Sequence, residues 1–142
     1  MDSLINSPPV RPYRIGFLVL PKFSMIALSC VMEPLREANW VSGYPLYEWL
    51  LITPKGSHIT SSNGTCLVIE NNLQAVSNCD MLIVCASFDL EQHSTPELLA
   101  TLRKSAMLGM ILGSIDTGSY ILARAGLLDR CRATIHWENA TG

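Results

Sequence analysis

A short run of small and polar residues, Gly113 to Gly118, has the composition of a sharp turn between a strand and a helix. Such an elbow lifts its central residue above the sheet and can present a nucleophile there. Asp116 occupies this position, whereas acyl-transfer or thiol chemistry needs serine or cysteine beside a base. A carboxylate nucleophile would need a matching acid or base, and the nearest candidate is His136. The elbow therefore predicts a site whose usual nucleophile is missing.

Apolar runs predict the strands that position this elbow. Four of them suit strands of a parallel sheet: Arg14–Leu20, Tyr47–Ile52, Asp80–Cys85 and Met110–Ser114. Within the polar segment 57–72, the alternating piece 65–69 predicts an edge strand or hairpin, and only residues 66–69 are expected to pack on the core. Residues 132–137 have one more strand pattern.

Capping signals and helical spacing predict the helices between these strands. Ser24 and Thr95 are suitable N-cap residues, and Gly43 and Gly126 follow predicted helix ends. The predicted helices are residues 23–41, 95–105 and 117–125. Alternating strands and helices predict an α/β fold, a doubly wound, mostly parallel sheet with helices on both faces and right-handed crossovers.

Length and composition limit the classes of protein to consider. The 142 residues, 49% of them hydrophobic, suffice for one domain with a sizeable core. The net charge of −2 and the lack of a basic run exclude direct nucleic-acid binding by this segment. The longest apolar stretch, 107–115, is too short to cross a bilayer, and the N-terminus lacks a signal-peptide layout. We expect a cytoplasmic protein with no membrane contact.

The ends of the sequence predict the domain boundaries. Residues 1–12 contain three prolines and predict a disordered leader, so the folded domain is expected to span 13–142. After the strand pattern at 132–137 no helix follows to cover it. For a doubly wound fold this predicts a truncation at the C-terminus.

The cysteines give no sign of a metal or redox site. The sequence contains five, with no CxxC pair: Cys30, Cys66, Cys79, Cys85 and Cys131. We expect them to be reduced and mostly buried as small apolar residues. No metal and no cofactor is predicted.

Two parts of the sequence resemble a known family. Residues 113–129, followed by 132–137, closely resemble the hallmark segment of GlxA-type AraC-family transcription regulators, and residues 23–28 and 32–39 resemble that family's first helix. The resemblance extends from Arg14 to Glu138. It implies a flavodoxin-like domain of the ThiJ/PfpI, class I glutamine amidotransferase-like type. It also implies a C-terminal helix-turn-helix DNA-binding domain, which is absent from this sequence.

The resemblance implies that catalysis is lost. Asp116 stands where the related enzymes carry their cysteine nucleophile, and Cys30 stands where they usually carry an acidic residue on the first helix. His136 falls where some members have a site histidine, but it has no thiol to activate. The family resemblance thus implies a binding domain and not an enzyme.

The resemblance also suggests the ligand. The elbow Asp116 and the Glu33-Pro pair look most like the regulators that sense arginine, glycine betaine or carnitine, which implies a small cationic amino-acid-like or quaternary ammonium effector. Asp116 and Glu33 would balance the cation, the Thr117 and Gly118 amides would hold a ligand carboxylate, and His136 would contact the ligand. Aromatic faces for the ammonium group would come from Phe88 and Trp137, with Trp40, Trp49, Tyr44 and Tyr47 as further candidates.

Each of these residues also has a structural interpretation. Asp116 can cap the helix that follows it, and Glu33 can be a solvated residue at a proline kink. His136 can be a structural histidine, and the tryptophans can lie in the core or an interface. Cys30 is expected to be buried, because no cationic neighbour in the sequence would make it a reactive thiol.

Three functions follow from these interpretations. The first is a sensory domain whose effector changes a homodimer and, through it, DNA-binding modules; contact with DNA occurs only through the missing C-terminal domain. The second is an active ThiJ/PfpI-type hydrolase, lyase or amidotransferase, which Asp116 and Cys30 disfavour. The third is a dimerisation module with no ligand, expected if the domain's own side chains fill the pocket.

Overall fold

Strands and helices alternate along the chain in the computed structural model, which describes residues 11–139. The strands are β1 (Tyr13–Val19), β2 (Tyr47–Ile52), β3 (His58–Thr60), β4 (Cys66–Val68), β5 (Met81–Ala86) and β6 (Ile111–Asp116). The helices are α1 (Met25–Ser42), α2 (Leu90–His93), α3 (Pro96–Met107) and α4 (Gly118–Arg124). Residues 1–10 of the predicted disordered leader lie outside the described part, and Arg11 forms a salt bridge with Asp80.

The main sheet is parallel and has the strand order β2-β1-β5-β6. β1 lies between β2 and β5, with Phe17 paired to Leu51 on one side and to Ile83 on the other. The chain moves outward from β1 to β2 and then crosses back to β5, so the strand order reverses between β1 and β5. In such sheets ligands bind outside the carboxyl ends of the strands at this switch point.

Two apolar cores, one on each face of the sheet, follow from the alternation of side chains along β1. Ile15, Phe17 and Val19 pack on the face covered by α1, where Leu28 is buried. Leu18 and the following Leu20 pack on the opposite face. That face is covered by buried residues of α3 and α4, which are Leu98, Leu102, Ile121 and Leu122. The predicted doubly wound fold with helices on both faces is confirmed.

The ends of α1 agree with the capping signals in the sequence. The Ser24 hydroxyl oxygen accepts a hydrogen bond from the Ala27 amide at 3.3 Å. At the other end Gly43 has a φ of 71°, and its amide donates to Asn39 O at 3.1 Å. The helix continues through Pro34. These caps fix the length of the helix that covers one core.

The predicted hairpin is present as the antiparallel pair β3 and β4. The expectation that only residues 66–69 pack on the core is wrong, because Ile59 of β3 is buried together with Ile69. In β4 itself Val68 is 66% exposed. Side chains alternate between the two faces of a strand. Ile59 of β3 therefore points inward, whereas Val68 of β4 points outward.

The strand predicted for residues 132–137 is absent, and this prediction is wrong. Residues 131–136 have no regular structure, and a 3-10 helix, Trp137–Asn139, follows them. An alternating pattern forms a strand only where a neighbouring ladder satisfies its backbone groups. No described strand pairs with the outer edge of β6, and Arg132 to Thr134 are exposed.

The expectation that the cysteines are mostly buried is also wrong. All five are free, and only Cys79 and Cys85 are buried, whereas the other three are exposed. Burial raises the pKa of the Cys79 and Cys85 thiols, which keeps them protonated and unreactive.

Among residues 11–139 no helix has the length and apolar character needed to span a membrane.

Candidate functional site

Three non-glycine residues with left-handed backbone mark the carboxyl edge of the sheet. Lys22 follows β1 with φ 59°, Asp89 follows β5 with φ 53°, and Asp116 ends β6 with φ 58°. A non-glycine residue in this region costs about 1–3 kcal/mol and persists where the surrounding structure enforces it, commonly at functional sites. The three strands are neighbours in the sheet, so the strained residues lie along one continuous edge.

Asp116 forms the elbow between β6 and α4. Its carboxylate accepts a short hydrogen bond from the Ser87 hydroxyl, which directly follows β5. The interpretation of Asp116 as a helix cap is wrong, because Thr117 occupies the N-cap position of α4. The left-handed conformation of Asp116 instead turns its side chain toward the end of β5. The elbow thus presents an anchored carboxylate above the sheet.

Thr117 and Gly118 hold the elbow against β5. The Thr117 amide donates to Ala86 O at 3.0 Å, and its hydroxyl oxygen lies 2.9 Å from the carbonyl oxygens of Ala86 and Ser87. A Cβ on Gly118 would lie 2.3 Å from Val84 O, so only glycine fits there. The Thr117 amide, a candidate for binding a ligand carboxylate, is therefore committed to the sheet.

One side of the elbow faces a cavity of about 510 Å³, which we call the elbow pocket. Asp116, Ser119, Arg132 and His136 all line it, so the structure brings the predicted residues Asp116 and His136 to one cavity. Ser119 is buried, and its hydroxyl has no hydrogen-bond partner among the described residues. Asp116 and Arg132 give the pocket one charge of each sign.

His136 and the residues after it are not arranged for catalysis with Asp116. His136 is exposed, with Nδ1 3.7 Å from the Glu138 carboxylate, and no hydrogen bond joins it to Asp116. Trp137 is 75% exposed, and its ring lies 5.8 Å from that of His136. Among the described residues, no hydrogen bond therefore prepares His136 to act as a base for Asp116.

A second cavity, of about 720 Å³, lies beside Ser87; we call it the acidic pocket. Three carboxylates line it, those of Asp89, Glu91 and Glu138, and no Lys or Arg does. The rings of Phe88 and Tyr120 are also among the lining residues, and Phe88 is 55% exposed. Carboxylates and aromatic faces are the groups that bind ammonium cations.

Of these residues, only Phe88 was predicted from the sequence. Tyr120 lies in the first turn of the helix that follows the elbow, and this position could have indicated it. The convergence of Glu138 with Asp89 depends on the irregular path of residues 131–136, which has no local signature.

The structure does not bring the predicted residues of α1 to the elbow. Glu33 is exposed and forms a salt bridge with Arg36 at 2.7 Å, and neither Glu33 nor Cys30 lines the elbow pocket or the acidic pocket. Trp40 is 76% exposed on the same helix. Among the described residues no group of three or more histidine, cysteine or acidic side chains is placed to hold a metal ion.

The fold and the elbow define the class of the domain. Solved ThiJ/PfpI domains from Pseudomonas syringae and Brachyspira murdochii share this fold, with TM-scores of 0.66 and 0.74 at 22% and 11% sequence identity. They cover 89% and 92% of this chain, which in turn covers 52% and 74% of theirs. No protein-family model matches the chain.

Closer relatives identify the family. The HTH-type transcriptional regulator CdhR from Pseudomonas aeruginosa is 43% identical over 86% of this chain. The HTH-type transcriptional regulator GlxA from Rhizobium meliloti is 37% identical over 89% of it. The crystal structure of an AraC family transcriptional regulator from Pseudomonas putida has a TM-score of 0.80 at 32% identity, covering 92% of this chain and 70% of its own.

This chain belongs to the AraC family of transcriptional regulators. Its sequence is similar to that of the regulator GlxA. It spans only 36% and 40% of the length of CdhR and GlxA. The region of similarity is the α/β domain that carries the elbow.

Proposed function

We propose that this domain, residues 13–142, senses a small cationic amino-acid-like or quaternary ammonium effector for a transcription regulator. The effector binds beside the elbow and is not chemically changed. Binding alters a homodimer of the domain, and the change passes to a C-terminal helix-turn-helix domain, which alone contacts DNA. In this proposal the protein functions in the cytoplasm.

The observation that carries this proposal is the carboxylate at the elbow. Asp116 holds the strained position at which an enzyme would place its nucleophile, and Ser87 fixes it by a hydrogen bond. Because this carboxylate has no hydrogen bond to His136, the geometry supports electrostatic binding and not acyl transfer. The ThiJ/PfpI-type enzyme function is disfavoured for the same reason.

The acidic pocket supports the choice of a cation. Of its three carboxylates Asp89 is paired with Lys22, whereas Glu91 and Glu138 have no lysine or arginine partner among the described residues. The charge of the elbow pocket, by contrast, is balanced by Arg132. Glu138 is largely exposed and can move onto a ligand, and the Phe88 and Tyr120 rings offer faces to an ammonium group. Ser87 lines this pocket while donating to Asp116, so it connects the cation site to the elbow. His136 and Trp137 flank the Glu138 side of the site.

Thermal unfolding with a panel of ligands tests the proposal. Glycine betaine, dimethylglycine, carnitine and arginine are compared with neutral amino acids at equal ionic strength. A ligand at one hundred times its Kd adds about 2.7 kcal/mol to the free energy of unfolding, which raises Tm by several degrees. We expect one compound of the first group to raise Tm and the neutral amino acids to leave it unchanged.

Charge-removing variants locate the site. Glu138→Gln keeps the side-chain shape and removes a carboxylate that lines the acidic pocket, so it is expected to weaken binding about tenfold. Asp116→Asn is also expected to weaken binding, because it removes the negative charge that Ser87 connects to this pocket. Asp129→Asn is the matched control, because Asp129 is exposed and lines neither pocket. Unchanged binding in both site variants contradicts the proposed location. If none of the four effector candidates shifts Tm, the ligand-free dimerisation module becomes the better account.

A further inference from the structure

A third cavity, of about 750 Å³, lies at the switch point of the sheet, on the other side of Phe88 and Asp89 from the acidic pocket. We call it the hairpin cleft, because the β3–β4 hairpin forms one wall. The other wall is formed by residues that directly follow three parallel strands. These are Pro21 and Lys22 after β1, Thr53 and Lys55 after β2, and Phe88 and Asp89 after β5.

The walls of the hairpin cleft are fixed to each other by backbone hydrogen bonds. The Lys22 amide donates to Thr60 O at 2.8 Å, and the Ser62 amide donates to Phe23 O at 2.9 Å. On the hairpin, the Ser61 hydroxyl donates to Asn63 Oδ1 at 2.6 Å. The cleft is therefore formed before any ligand enters it, which lowers the entropic cost of binding.

The charge of this cleft is opposite to that of its neighbour. Its charged lining residues are Lys22, Lys55 and Asp89, with His58 beside them, so it is net positive on a chain of net charge −2. Lys22 is paired with Asp89 at 2.7 Å. The Lys55 ammonium forms no ion pair or hydrogen bond with any described residue, although it stands at the cleft.

We propose that the hairpin cleft is a separate binding site for a small metabolite bearing a carboxylate or phosphate group. Lys55 supplies the free cation, and Lys22 supplies a second one that Asp89 holds in place. Thr60 and Ser62, which also line the cleft, supply hydroxyl groups for the ligand oxygens. This site is distinct from the proposed effector site, whose charges select a cation.

The proposal is tested on the intact chain by calorimetric titration and by two-dimensional amide NMR. Inorganic phosphate and succinate are titrated separately, with sodium chloride at matched ionic strength as the reference. We expect one of the two to bind saturably and to shift the amide signals of Lys22, Lys55 and Thr60. Phosphate binding without succinate binding identifies a phosphorylated ligand, and the reverse identifies a carboxylate.

Lysine variants separate this site from general attraction of anions. Lys55→Gln is expected to weaken binding about tenfold, and Lys104→Gln on α3, far from the hairpin in the sequence and outside the cleft lining, to leave it unchanged. The anions are titrated in the absence of any effector candidate, so failure of the effector proposal and failure of this one are distinguishable. Absence of saturable binding by both anions, signal shifts spread over the surface, or equal losses in the two lysine variants would overturn the proposal.

Discussion

Three neighbouring residues of the elbow contribute in different ways. Asp116 takes the strained left-handed conformation and presents the carboxylate. Thr117 ties the turn to β5 through the carbonyl oxygens of Ala86 and Ser87. Gly118 allows α4 to approach Val84 of β5 more closely than any side chain permits. The position of the carboxylate thus depends on contacts with β5 as much as on its own strand.

Substitution of Gly118 should destabilise the fold, because backbone atoms of β5 already occupy the space that a Cβ would need. Gly118→Ala is expected to lower the free energy of unfolding by about 1–3 kcal/mol, the usual cost of overpacking. Gly113→Ala is the matched control, since its Cβ would meet only Ile83 Cγ1 at 3.7 Å, an ordinary contact. Urea unfolding measures both variants. Equal stability of the two would contradict the close approach of α4 and β5.

At the scale of elements, the short helix α2 lines the acidic pocket with its first residues and places an atom of its last residue out of contact with solvent. It begins after the strained Asp89, and its last residue is His93. The Nε2 atom of His93 is buried without a hydrogen-bond partner in the described part of the chain. Burial lowers the pKa of His93, an effect that Asp89 partly offsets. The folded state therefore favours the neutral ring.

This half-buried histidine should make stability depend on pH. The unfolded chain binds a proton near the ordinary pKa of 6.5, whereas the folded chain binds it only at lower pH, so the free energy of unfolding falls as pH drops below 6.5. His93→Gln is expected to flatten this dependence. Chemical unfolding between pH 7.5 and 5.5 measures it, with His136→Gln, an exposed site, as the control. An unchanged slope in His93→Gln would rule out His93 as the cause.

The elements that the sequence predicted well carry local signals. The apolar run of β1 and the cap of α1 at Ser24 need no knowledge of the rest of the chain. The elbow was likewise predicted from the small residues around Asp116. The strand prediction for residues 132–137 failed because a strand needs a neighbouring strand as its hydrogen-bond partner. The local alternation of residues does not reveal whether such a partner is present. Glu138, and not the predicted Glu33, lines the acidic pocket, because loop paths and helix faces decide which carboxylate reaches this pocket.

At the scale of the whole molecule, two pockets of opposite charge share one wall at the carboxyl edge of the sheet. Phe88 and Asp89 line both the acidic pocket and the hairpin cleft. The salt bridge between Asp89 and Lys22 joins the end of β5 to the end of β1, and Lys22 lowers the pKa of Asp89. A movement of this shared wall on ligand binding would change the geometry of both sites and of the start of α1.

The proposed homodimer requires an apolar surface, and α1 carries one. Ile26, Trp40 and Val41 are 74%, 76% and 78% exposed on this helix, and exposed tryptophan is typical of the centre of interfaces. Because α1 starts beside the shared wall, a dimer through α1 would couple the ligand sites to the partner subunit. We expect a dimer in sedimentation equilibrium, with Trp40→Ser and Val41→Asp raising the dimer Kd more than about tenfold. Val68→Asp, at a valine of β4 that is 66% exposed, is the control. A monomeric wild type, or a dimer Kd that neither α1 variant changes, would contradict this interface.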